Sequence, residues 1–102
     1  MELAKLTNKE LEELNDEIIR QIVIDDLEYY TSQGMKDMFI TNILGKIDTN
    51  DNIIDILVNE YKKGSPYVGY YQKYLLQKEK ILREKFDIEF DVPNENNIVS
   101  ID

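Results

Sequence analysis

Apolar residues in the first third of the chain recur at helical intervals. Leu11, Leu14, Ile18 and Ile22, joined by Val23 and Leu27, form a stripe that predicts one long amphipathic helix running toward Tyr30. Thr7 and Glu10 stand in the Thr-x-x-Glu capping arrangement, in which each residue satisfies an amide of the other, so the helix is expected to begin near Asn8. Gly34 is its expected terminator. The polar positions place Glu10, Glu13, Asp16 and Glu17 on the outer face, with Asp25, Asp26 and Glu28 further along.

A shorter helix is predicted over Met35 to Lys46, with Met38, Phe39, Ile43 and Ile47 on one side. Asp48 to Asn52 is a run of side chains that bond their own backbone and favour turns and caps. A third helix is expected from there to Lys63, burying Ile53 or Ile54, Leu57, Val58 and Tyr61, and closed by Gly64. Ser65 and Pro66 then suit the N-cap and first turn of a fourth helix, residues 66–86, with Gly69 inside it. Its inward residues are expected among Tyr67, Val68, Tyr71, Leu75, Leu82 and Phe86.

After Phe86 the period changes. Residues 87–92 alternate polar and apolar, 93–97 read as a turn, and 97–102 suit a second short strand, so a hairpin packed on the helices is one reading and a loosely attached acidic tail the other. The expected architecture is a mostly α fold: a small antiparallel bundle of about four helices over residues 1–86, with a C-terminal extended segment, residues 87–102, on the same domain.

Composition sets limits on function. The chain has 102 residues, no cysteine and no histidine, which removes disulfides, thiol nucleophiles, the commonest general base and the commonest transition-metal ligand. No pair of acids, tyrosines or lysines has a spacing that marks catalysis, so a non-enzyme without cofactor is expected. The first residues lack an apolar run and no stretch is long enough to span a membrane, which points to a cytoplasmic protein. Abundant Ile, Asn, Lys and Tyr suit AT-rich coding, as in a low-GC bacterium or one of its phages.

The net charge of −9 disfavours nucleic acid and anionic membrane as direct partners and favours a basic protein. That charge is uneven: residues 1–34 hold nine acids and three bases, 65–86 two acids and five bases, and 87–102 five acids and no base. The basic fourth helix is therefore expected to lie beside the acidic first one, with opposite charges on the seam.

Three constellations bear on binding. Asp48, Asn50 and Asn52 begin like a calcium loop, but Ile53 stands where the turn needs Gly and Asn59 where a bidentate Glu is needed, so no metal is expected. Residues 39–60 can be cast as a helix-turn-helix, yet Asp51, Asn52 and Asp55 open the would-be recognition helix and would face phosphates. Tyr67, Tyr70, Tyr71 and Tyr74 span two turns and cannot all point inward, which leaves some as interface anchors or, with the neighbouring lysines, as a stacking platform for nucleic acid.

The partner-binding residues expected from this pattern are Glu10, Glu13 and Glu17, a carboxylate row resembling phosphates, together with those four tyrosines. The function expected first is an acidic inhibitor docked on a nucleic-acid-binding protein, such as a phage counter-defence factor. A homo-oligomeric assembly protein, at its simplest a homodimer, is the alternative, and nucleic-acid binding through residues 66–86 the second alternative.

Overall fold

The computed structural model describes residues 6–47 and 51–89. It is mostly helical: α1 spans Asn8–Ser32, α2 Lys36–Leu44, α3 Ile53–Lys62 and α4 Tyr70–Phe86. Among the described residues there is no strand, and no helix is long and apolar enough to cross a membrane. The expected hairpin, apart from its first three residues, and the start of the calcium-like run lie outside the described residues.

α1 begins where its capping box predicts. The Thr7 amide donates to Glu10 Oε1 at 3.0 Å, and the Glu10 amide donates to Thr7 Oγ1 at 3.1 Å. At the other end Gly34 takes the left-handed conformation with φ 71°, while Met35 N–H reaches Tyr30 O at 2.8 Å and Gly34 N–H reaches Thr31 O at 3.1 Å. These two bonds form a Schellman closure, which satisfies carbonyls the helix leaves open.

The described residues fall into two compact units, 6–18 with 67–89, and 19–47 with 51–66. In the first, the opening turns of α1 meet α4 through a Tyr74–Asn15 hydrogen bond and a Lys85–Glu17 ion pair at 2.6 Å. The acidic-to-basic seam expected between these helices is therefore present at Glu17. Among the described residues of this unit, Leu14, Ile18, Tyr70, Leu75, Ile81, Leu82 and Ile88 are the buried apolar side chains. Each aliphatic one contributes about 1.5–3 kcal/mol by leaving water.

In the second unit, α2 and α3 pack on one another. Ile19, Ile22 and Val23 of α1, Phe39 and Ile40 of α2, and Leu57, Val58 and Tyr61 of α3 are buried there. Arg20 Nη2 reaches Asp55 Oδ1 at 2.6 Å, tying α1 to α3 at an exposed site.

Five local readings are corrected. α2 stops at Leu44 rather than Lys46, because Gly45 is left-handed at φ 79° and its N–H returns to Thr41 O. Its buried side chains are Phe39 and Ile40, whereas Met38 and Ile47 are 51% and 60% exposed. A nine-residue helix with apolar groups on several sides gives no unique stripe from sequence.

α4 begins at Tyr70, not at Pro66. Gly69 occupies its N-cap with φ 88°, a conformation that costs other residues roughly 1–2 kcal/mol, so this glycine is a boundary device and not an interior defect. Val68 is consequently 79% exposed and Tyr71 55% exposed, while Tyr70 and Ile81 are buried in their place. Finally, Asp26 is not on an outer face: it is 5% exposed.

Candidate protein-interaction surfaces

The seven residues singled out by the sequence belong to one unit, in which the opening turns of α1 supply the glutamates, the start of α4 supplies Tyr70, Tyr71 and Tyr74, and the segment before it Tyr67. The glutamates differ in their engagements. Glu10 is held by its capping box, Glu17 is half-buried and paired with Lys85, and Glu13 is exposed, as is its neighbour Glu12.

The tyrosines also separate. Tyr70 is buried and meets Tyr67 edge-on at 5.8 Å and Tyr74 at a tilt of 47°. Tyr67 is half-buried, with Lys73 Nζ 4.9 Å above its ring and 3.2 Å from its hydroxyl. Tyr74 donates its hydroxyl to Asn15, and burial, reinforced by the neighbouring Tyr71 hydroxyl, pushes its pKa above the ordinary tyrosine value. Tyr71 alone of the four presents more than half its surface.

The lysines and arginine of α4 make no continuous basic stripe. Lys85 is paired with Glu17, Arg83 with Glu79 at 3.4 Å, and Lys73 lies over Tyr67. A strand of nucleic acid following this helix would have to displace those partners.

The second unit holds features that sequence reasoning missed. Tyr61 donates its hydroxyl to Asp26 Oδ2 at 2.9 Å, both residues being buried. Asp26 continues the i, i+4 series Ile18, Ile22, and that spacing is the signal that it faces inward. Tyr30 stacks on Phe39 with ring centroids 4.6 Å apart, and Tyr29 meets Tyr30 edge-on while staying 58% exposed.

A cleft of about 300 Å³ opens at the carboxy-terminal end of α3, lined by Asn42, Ile43, Glu60, Lys63, Gly64, Ser65 and Pro66. Among the described residues no group of three or more acidic side chains is gathered closely enough to hold a metal ion. No family model, curated protein or solved structure matches the chain.

Proposed function

We propose that the chain is a non-enzymatic protein-binding module that docks on a basic protein, in its most specific form an inhibitor covering a nucleic-acid-binding surface. The observation that carries this reading is the coexistence, on one unit, of exposed Tyr71 and Val68 with exposed Glu12 and Glu13. An aromatic anchor supplies contact area at low entropic cost, while carboxylates on the same unit steer a basic surface and disfavour an acidic one. The net charge of −9 acts in the same direction at longer range.

Affinity capture from a low-GC bacterial lysate tests it. Wild type is expected to retain a basic protein that Tyr71→Ser and Glu13→Lys each release. Equal retention by all three refutes this surface. Self-association is the second reading, favoured by Leu76, which leaves half its surface exposed on α4. Light scattering that shows one mass at all concentrations removes it.

A further inference from the structure

We propose that the cleft at the end of α3 is a seat for the guanidinium group of an arginine on a partner protein, with Glu60 in its wall as the acceptor, paired in the free chain with Lys63. This rests on the reading of the chain as a module for basic partners, but it uses a different surface.

Glu60 supplies the acceptor. Its side chain is 28% exposed, and Lys63, 75% exposed, lays its ammonium over it with Nζ 2.5 Å from Oε2. A largely solvated lysine thus covers a mostly sheltered carboxylate, an arrangement in which the site already receives one cation. The seat also lies at the negative end of the α3 dipole, which favours positive charge further.

Shape and chemistry narrow the occupant. At about 300 Å³ and open to solvent, the cleft is at the lower limit for enclosing a small molecule and suits a single long side chain. Ile43 and Pro66 in the lining offer apolar surface to the methylene stem, and Asn42 belongs to the same wall. Arginine fits better than lysine because its planar fork can bond both oxygens of Glu60, whereas Lys63 meets one. Displacing Lys63 costs little, since exposed ion pairs contribute about 0–1 kcal/mol.

The test is a titration of the isotopically labelled full chain with a tri-arginine peptide, followed by amide chemical shifts. Wild type is expected to move the Gly64 and Asn42 amides, and tri-lysine to move them less. Lys63→Ala, which removes the resident cation from an exposed position, should tighten binding by up to about fivefold, the equivalent of about 1 kcal/mol. Glu60→Gln should abolish the response, with the unchanged amide spectrum elsewhere showing that the fold is intact.

Binding by Glu60→Gln equal to wild type, or weaker binding by Lys63→Ala, overturns the proposal. Failure of the docking reading has a different signature. Capture of a basic protein is then insensitive to Tyr71→Ser while the peptide titration at Gly64 persists.

Discussion

Tyr61 of α3 donates its hydroxyl to the buried carboxylate of Asp26 on α1, 35 positions away in sequence, across 2.9 Å. Tyr61 is 1% exposed and Asp26 5%, so this bond to a charged acceptor lies where water does not compete with it. Tyr61→Phe keeps the ring and removes only the donor. Denaturant unfolding should show a loss of about 1–3 kcal/mol, and thermal unfolding a Tm lower by roughly 4–8 °C per kcal/mol. An unchanged midpoint would mean that the bond contributes nothing net.

Gly69 offers a test by sign. Were it inside a helix, Gly69→Ala would stabilise the protein by about 0.5–1 kcal/mol. At φ 88° in the N-cap, with open space where the methyl group would project, the same substitution should destabilise by about 1–2 kcal/mol through backbone strain alone. Urea midpoints of the two proteins decide between the positions.

Asp87 carries the complementary case. It is left-handed at φ 54°, which lets the Ile88 amide reach Leu82 O at 3.0 Å and puts Ile88 in the buried set. Asp87→Gly relieves the strain of that conformation at some cost in unfolded-state entropy, so the net effect should lie between zero and about 1 kcal/mol of stabilisation. Ile88→Ala, by contrast, should cost about 2–5 kcal/mol in equilibrium unfolding.

Tyr74 gives a pH dependence. Burial raises its folded-state pKa above the unfolded value of 10.0, so the folded protein holds this proton more tightly. The associated stability is fully present below pH 10.0 and is lost as pH rises through the folded-state pKa. Unfolding measured on both sides of that pH should show a decline in wild type that is smaller in Tyr74→Phe. Parallel declines in the two proteins would refute the assignment.

What can be read in the sequence follows from how local the governing physics is. Thr7, Glu10 and Gly34 act within one turn of themselves, and α1 begins and ends as they predict. Ser65 and Pro66 also carry a local signal, but the left-handed Gly69 overrides it and moves the start of α4 by four residues, which exposes Val68. The pairing of Glu17 with Lys85 is legible only as a charge balance, since no periodicity links residues on different helices. Asp26 is misread because a carboxylate in an acidic stretch looks solvated, and its partner lies in a distant helix. The tyrosines stand out as a group, but sorting Tyr71 from Tyr70 requires the helix boundary that the sequence misplaces.

The proposed docking face for a basic protein joins exposed Tyr71 and Glu13 on one unit. The decisive measurement is the affinity of a captured basic partner for wild type, Tyr71→Ser and Glu13→Lys across a salt series. Tyr71→Ser should bind at least tenfold more weakly at every salt concentration, a loss of about 1.4 kcal/mol or more for an aromatic anchor. Glu13→Lys should show a loss that is largest at low salt and shrinks as salt screens the charge. Affinities within about twofold of wild type for both variants at low salt, a difference of less than about 0.5 kcal/mol, would contradict the docking face.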